Sequence, residues 1–484
     1  MGVLSGLEPK KVWKYFEDLC GIPHGSGNEK AVSDYCVAFA RERGLQVWQD
    51  EAWNVVIARP ASAGYENREP IILQGHLDMV CEKTPDCDID FEKDGLRLAV
   101  DGDYVYAKGT TLGGDDGIAI AYALAILDDD RIAHPKLEAV FTTSEETGMD
   151  GAAALDVSML EGHTVLNLDS EEEGILLAGC AGGCSAGIRL PIIREKKRGI
   201  RAVLTVDGLK GGHSGAEIDK GRGNASRLLA EVLADLKAET AYSLCSIAGG
   251  LKDNAIPREC RAKLLFPENA SEDLREKTEQ ICEAALARLR ADYAVSDPGL
   301  SVSLAFEGTG EADVFAEDTF DRVRTLLTAL PNGIICMSED IPGLVQTSLN
   351  LGIVRTEADA LILRYSIRSS VSAEKEALVE QLRQAVRQEG ASMTINGDYP
   401  AWEYRKDSPL RDTCVRIYQE MFGSEPKVEA IHAGLECGLL ASKIPDLDCV
   451  SMGPDIHDIH TTEERLSIPS VERMWNYILE ILKK

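Results

Sequence analysis

A histidine and an aspartate stand two apart in GHLDMV, as His76 and Asp78. On an extended strand residues i and i+2 point to the same side, so this pair would present an imidazole and a carboxylate together, a geometry suited to a metal ion. Groups of the same chemical type recur: Asp115 and Asp116 in GTTLGGDDG, Glu145 and Glu146 in SEETG, Asp169 closing TVLNLD, and His457 and His460 three apart in DIHDIH. The glycine-rich stretch 109–117 has neither the Gly-x-Gly-x-x-Gly spacing nor the Gly-Lys-Ser/Thr ending of a phosphate cradle. Two adjacent aspartates would repel a phosphate and suit a cation, although a helix amino terminus also attracts carboxylates as caps.

Several elements must bring these groups together. Residues 71–75 read as a buried strand, 137–143 (LEAVFTT) alternate like one, and 164–168 repeat the pattern. The three runs stop at His76, at Glu145 and Glu146, and at Asp169. In open α/β sheets ligands sit at the carboxyl ends of strands, so the three ends are expected to converge on one cleft. Apolar residues three and four apart predict helices over 9–20 and 28–44. Strands follow at 45–49 and 53–58, a charged loop at 81–95, a hairpin over 96–107 through Asp101-Gly102, and an apolar helix from 118 to 127. From about residue 185 the texture changes, with strands expected at 200–206, 242–248, 259–266, 300–306, 346–354 and 360–368 and helices at 222–238, 270–291, 316–330 and 372–389. The order β-α-β-β-α-β followed by a similar run predicts α+β units of ferredoxin-like type. The passages 185–199 and 390–402 are the candidate boundaries.

The 484 residues, 44% of them hydrophobic, are enough for two domains with sizeable cores. A net charge of −30, from 51 Lys and Arg against 81 Asp and Glu, argues against nucleic acid or an anionic membrane as partner, since both need basic surface. The start, MGVLSGLEPKKVWKYFEDLC, has no signal-peptide pattern, and Gly6 stands where myristoylation needs Ser or Thr. The longest apolar run, 117–127, is far short of a bilayer span. A cytoplasmic, soluble protein is expected. The thirteen cysteines form no Cys-x-x-Cys pair and are expected to be reduced, serving as small apolar residues.

Eight stretches in order make the chain similar to the M20 family of metallopeptidases and, within it, to the aminoacyl-histidine dipeptidase branch (peptidase D, Xaa-His dipeptidase). They are GHLDMV, GTTLGGDDGIA, TTSEETGMDGA, LNLDSEEEG, GLKGGHSGAEID, NAIPRE, HAGLECG and the closing HTTEER, which together span nearly the full length. The resemblance implies an α/β fold: a zinc-peptidase-type catalytic domain over 1–186 and 400–484, with a central mixed sheet flanked by helices. It also implies an inserted lid and dimerisation domain over 187–399, built of ferredoxin-like α+β units. Two zinc ions per subunit are implied, His76 on one and His460 on the other, Asp115 bridging, and Glu146 and Asp169 each completing one set. Asp78 would orient His76, and Glu145 would be the general base. The implied ligand is Asp115, with a cis peptide to Asp116; sequence alone does not separate the two. His460 is preferred to His457 because it lies in HTTEE.

The chemistry agrees with that allocation. Two ions roughly 3.5–4 Å apart need a bridging carboxylate and a bridging water, and nitrogen and oxygen donors suit Zn²⁺. Such a water loses a proton near neutral pH, giving a bridging hydroxide, and a carboxylate must pass that proton to the departing amine. Mn²⁺ or Co²⁺ accepts the same ligands. In the inserted domain the resemblance implies that His213 of GGHSG steadies the oxyanion, while Asn254 and Arg368 hold the substrate's backbone and terminal carboxylate. Glu436 of HAGLECG would neutralise a free amino group or belong, with His432, to a buried hydrogen-bonding pair. The expected activity is hydrolysis of unblocked dipeptides, Xaa-His preferred or broad, by a homodimer joined through the lid. A tripeptidase or an N-acyl amino acid deacylase would keep the same ligands, and a non-catalytic metal-binding scaffold would not need Glu145 or Asp78.

Overall fold

In the computed structural model, which describes residues 2–269 and 272–484, the three apolar runs that end in histidine or acid are neighbouring parallel strands. The chain begins with α1 (Lys10–Cys20), α2 (Lys30–Glu42), β1 (Gln46–Gln49), β2 (Val55–Arg59), β3 (Ile71–His76), β4 (Leu98–Asp101), β5 (Tyr104–Ala107), α3 (Gly114–Leu127), β6 (Leu137–Thr142), α4 (Asp150–Ala154), β7 (Thr164–Asn167) and β8 (Ile175–Cys180). It continues with β9 (Gly182–Pro191), β10 (Arg194–Asp207), β11 (Gly212–His213), α5 (Ala225–Glu239), β12 (Ser243–Gly249), β13 (Ala255–Ile256), β14 (Cys260–Pro267), α6 (Glu272–Asp292), β15 (Ser301–Phe315), α7 (Glu317–Ala329), β16 (Gly333–Met337), β17 (Val345–Thr356), β18 (Ala360–Ser369), α8 (Ser372–Gln388) and β19 (Ser392–Tyr399). It closes with α9 (Pro409–Phe422), β20 (Lys427–Ile431), α10 (Glu436–Lys443), β21 (Asp448–Ser451), β22 (Ile456–His457), β23 (Arg465–Ser467) and α11 (Ile468–Leu482). Two compact units result. One holds the chain up to Cys180 with Trp402–Ala430 and Leu435–Lys484, the other Ala181–Ala401 with Ile431–Gly434.

The first unit is built on an eight-stranded mixed sheet in the order β1-β2-β6-β3-β7-β21-β8-β20. Its centre, β6-β3-β7-β21, is parallel. All six residues of β3 and of β6 are buried, as expected of parallel strands covered on both faces. All fourteen residues of α3 are buried too, because Ile118–Leu127 carries no polar face to turn outward. A separate sheet, β22-β23-β5-β4, joins the predicted hairpin to the chain on either side of His460.

The second unit has its own core and one antiparallel sheet, β15-β10-β14-β12-β17-β18-β9-β19, with β16 beside β17. The order β15-β10-β14-β12 is a complete ferredoxin-like β-α-β-β-α-β unit. A second such unit, β17-β18-β9-β19, takes its first strand, β9, from before the first unit and the rest from after it. The two runs expected in tandem are therefore nested. The passages 185–199 and 390–402 contain β9, the start of β10, and β19, and β9 runs through position 186. Gly182, Gly183 and Gly187 deprive β9 of the β-branched alternation that marks a strand in sequence. Among the described residues no helix is long and apolar enough to cross a membrane, and all thirteen cysteines are free thiols.

Candidate metal centre

His76 ends β3, and the backbone just before it leaves no room for a side chain: a Cβ on Gly75 would lie 2.4 Å from Asp116 Oδ2. The same oxygen accepts the His76 amide at 3.1 Å, so Asp116 is tied to the strand. The Asp115-Asp116 peptide is cis, and both residues depart from helical dihedrals at the head of α3. The Asp115 carboxylate points between two imidazoles. Its Oδ1 lies 3.0 Å from His76 Nε2 and its Oδ2 3.1 Å from His460 Nε2. Asp169 Oδ1 stands 3.5 Å from His76 Nε2, and Glu146 Oε1 2.9 Å from His460 Nε2.

The turn after β6 delivers the two glutamates. Ser144 sits in the left-handed region (φ 55°), where a non-glycine residue needs support. That support is Glu29, fully buried, whose Oε1 accepts both the Ser144 amide and its hydroxyl at 3.1 Å. The next two amides donate to Asp78: Glu145 N to Oδ1 at 3.0 Å and Glu146 N to Oδ2 at 3.2 Å. Ser26 Oγ also donates to Asp78 Oδ2, at 2.8 Å, and His76 Nδ1 lies 3.4 Å from Oδ1 and 3.0 Å from the Asp78 carbonyl. On the opposite flank the buried carboxylate of Glu464 receives the amides of Leu112, Gly113 and Gly114 at 2.7, 3.2 and 2.8 Å, which pins the glycine-rich turn before Asp115.

A single ring proton cannot serve the oxygens around each Nε2. Glu146 Oε1 is buried and takes no hydrogen bond although His460 is beside it. The adjacent carboxylates of Asp115 and Glu146 push His460 up to about 10, and His76 is raised by Asp115, Asp169 and Asp78 against the opposing effect of burial. Burial lifts Glu145 to about 9, with Asp169, Glu436 and Glu146 adding to it and His76 opposing. So strong a carboxylate field around two imidazoles is what a cation relieves, and the donor set of imidazole nitrogens and carboxylate oxygens fits two divalent ions. Ligand atoms of Asp115, Glu146 and His460, of His76, Asp116 and Asp169, and of His76, Glu145 and Glu146 fall within 4.8 Å of one another. His457 is in none of these groups; its ring packs on Tyr104.

The remaining expected residues divide between the units. Glu436, wholly buried at the start of α10, accepts Gln74 Nε2 at 2.6 Å and Thr142 Oγ1 at 2.5 Å through Oε2, while its Oε1 has no partner. Burial raises its carboxyl to about 7. His432 is not its partner: His432 belongs to the second unit, where its Nε2 lies 2.7 Å from Ser348 Oγ. In that unit His213 accepts the amides of Gly215 and Ala216 on Nδ1, at 3.2 and 3.0 Å, which leaves its proton on Nε2. The Ser214 amide donates to the carbonyl of Asn254, so β11 and β13 bring those two positions together. Arg368 donates to Tyr399 Oη at 2.9 Å and keeps a buried Nε without partner. A Cβ on Gly215 would meet the His432 carbonyl, the His213 ring and Arg368 Nε, so these three close around one glycine.

Sequence reasoning passed over Ser26, Glu29 and Glu464. The first two lie in SGNE just after the first helix, and Glu464 lies within HTTEER. Their partners are backbone amides, or side chains far away in sequence, so spacing gives no sign of them.

Residues 72–484 match the model of peptidase family M20/M25/M40. The chain is 39% identical over 488 residues to the cytosol non-specific dipeptidase of Escherichia coli K12, covering 100% of this chain and 99% of that one. Its structure resembles that of the aminoacylhistidine dipeptidase from Vibrio alginolyticus, with a TM-score of 0.93, 36% identity and coverage of 100% and 98%. The aminopeptidase PepT of Bacillus cereus shares the fold at a TM-score of 0.57 and 15% identity, covering 99% and 98%. With its mixed α/β fold and a match over most of its length, the chain belongs to the M20/M25/M40 peptidase family and is a hydrolase of peptide bonds.

Proposed function

We propose that this chain is a cytosolic dipeptidase that cleaves unblocked dipeptides with two zinc ions, preferring Xaa-His or accepting a broad range of side chains. The observation that carries the reading is the position of Asp115, whose two carboxylate oxygens address His76 and His460 at 3.0 and 3.1 Å. His76 and Asp169 would hold one ion, His460 and Glu146 the other, and Asp115 would be shared. Asp116 has already committed Oδ2 to the His76 amide, which favours Asp115 for the shared role. When bound, such a pair supplies Lewis-acid polarisation of the scissile carbonyl and makes a water acidic enough to react near neutral pH.

Glu145 takes that water's proton and returns it to the leaving amine, a task suited to a carboxyl whose proton affinity burial has raised. Asp78 holds the His76 ring and the Glu145 and Glu146 amides in one frame. In the second unit, taken as the lid, His213 has its Nε2 proton to offer to the carbonyl oxygen as negative charge grows there. Asn254 and Arg368 would hold the substrate's backbone and terminal carboxylate, and Glu436 its free amino group. The names of the E. coli and Vibrio relatives support a dipeptide substrate, and the family resemblance supports a homodimer joined through the lid.

The test strips the purified protein with a chelator, reloads it with zinc, manganese or cobalt, and supplies dipeptides, a tripeptide and an N-acyl amino acid. Restored cleavage of dipeptides with free amino ends, saturating at two zinc equivalents, is expected. Preferred cleavage of the tripeptide or the N-acyl substrate would replace this reading, and zinc uptake without turnover would leave a metal-binding scaffold.

A further inference from the structure

Strand β18 of the second unit alternates strictly. Leu363, Tyr365 and Ile367 are buried, whereas Arg364, Ser366 and Arg368 point to the other side. Opposite them on β9 stand Gly187, Ser185 and Gly183. The two arginines therefore rise from a floor of very small residues, and a cavity of about 560 Å³ lies there, lined also by Asp253, Asn396 and Tyr399. A neighbouring cavity of about 520 Å³ is lined by Asn254, and Asp253 and Arg364 border both. Arg364 thus stands between the cavity of Arg368 and that of Asn254.

Its charge is uncommitted. Asp253 accepts Ser185 Oγ at 2.6 Å and the Asn254 amide at 2.9 Å, and the nearby Arg355 pairs with Glu357 at 2.7 Å. Among the described residues Arg364 has no hydrogen-bond or ion-pair partner. In a chain of net charge −30, an unpaired guanidinium over a cavity floor is a local positive site that a carboxylate would neutralise through two parallel hydrogen bonds. Arg364 and Arg368 are four residues apart on one face, about 13 Å between Cα atoms for an extended strand. Long side chains leaning toward each other can narrow that gap to the span between the two carboxylates of one acidic residue.

We propose that Arg364 is a specificity-determining residue that binds the side-chain carboxylate of a C-terminal Asp or Glu in the substrate, beside Arg368 on the α-carboxylate. This rests on the dipeptidase reading above. The experiment measures kcat and KM of the zinc-loaded native enzyme, Arg364→Ala and Arg364→Glu on Ala-Glu, Ala-Gln, Ala-Leu and Ala-Lys. Arg364→Ala is expected to raise KM for Ala-Glu about tenfold or more, the scale of one charge-assisted contact, with kcat and the Ala-Gln and Ala-Leu constants within about twofold. Arg364→Glu is expected to extend the loss on Ala-Glu and lower KM for Ala-Lys. Equal losses on all four dipeptides, or an unchanged KM for Ala-Glu while Ala-Leu is still cleaved, would overturn the assignment of Arg364 alone. Failure of the native enzyme to cleave any dipeptide would overturn the assignment together with the reading beneath it.

Discussion

Asp78 shows how much of the centre is arranged by a residue that need not touch an ion. Three donors converge on its carboxylate, from Ser26, Glu145 and Glu146, with the His76 ring beside them, so one buried side chain couples the end of β3 to the turn after β6. Replacing it with asparagine is expected to weaken zinc binding by about 10- to 100-fold, read by competition with a chromogenic chelator. Glu145→Gln is expected to act differently: kcat falls by about 10²–10⁴ while two zinc ions per chain are still found by elemental analysis. Full activity in that variant would remove Glu145 from proton transfer. At this scale the pairing of His76 with Asp78 was legible in their spacing, although β3 ends at His76 and Asp78 lies beyond the strand. Ser26, Glu29 and Glu464 act through backbone amides or remote side chains, and a backbone amide is the same for every residue type except proline. Nor could composition separate Asp115 from Asp116, whose surroundings differ only in the fold: Asp116 Oδ2 accepts the His76 amide, while both Asp115 oxygens face imidazoles.

The elements present these side chains because strands and turns stop where they must. β3, β6 and β7 run parallel and end together, so an apolar run followed by an acid or histidine was legible three times over. The turn before Asp115 depends on a long-range contact. Glu464, near the carboxyl terminus, takes three consecutive amides at 112–114, and Gly113 holds φ 68° with Met79 Sδ only 2.9 Å from where a Cβ would be. Glu464→Gln turns part of that acceptor into a donor facing amide hydrogens. It is expected to lower unfolding stability by about 1–3 kcal/mol, measured by denaturant titration of the metal-free protein. Strands β8, β9 and β19 were not read as strands, since glycines, serines and an Asn-Gly pair replace the alternation that gave the others away.

At the scale of the molecule, the second unit is the inserted stretch Ala181–Ala401 together with the short segment Ile431–Gly434. Its core is distinct from that of the first unit. Its entry and exit lie side by side, because Gly183 at the start of β9 pairs with Tyr399 at the end of β19. Adjacent termini and a private core are what an independently folding domain needs. A fragment of residues 181–401 is therefore expected to unfold in one cooperative transition followed by circular dichroism, and a fragment without a transition would contradict this. The sequence announced the insertion through its change of texture. It could not announce the nesting of two ferredoxin-like units, because β9 pairs with β18, some 170 residues later, and nothing local in either strand names its partner.

The most direct test of the central claim is anomalous diffraction at the zinc edge from zinc-loaded crystals. Two peaks on either side of the Asp115 carboxylate are predicted, one beside His76 and Asp169 and the other beside His460 and Glu146. A single ion, or two ions that do not share Asp115, would contradict the account.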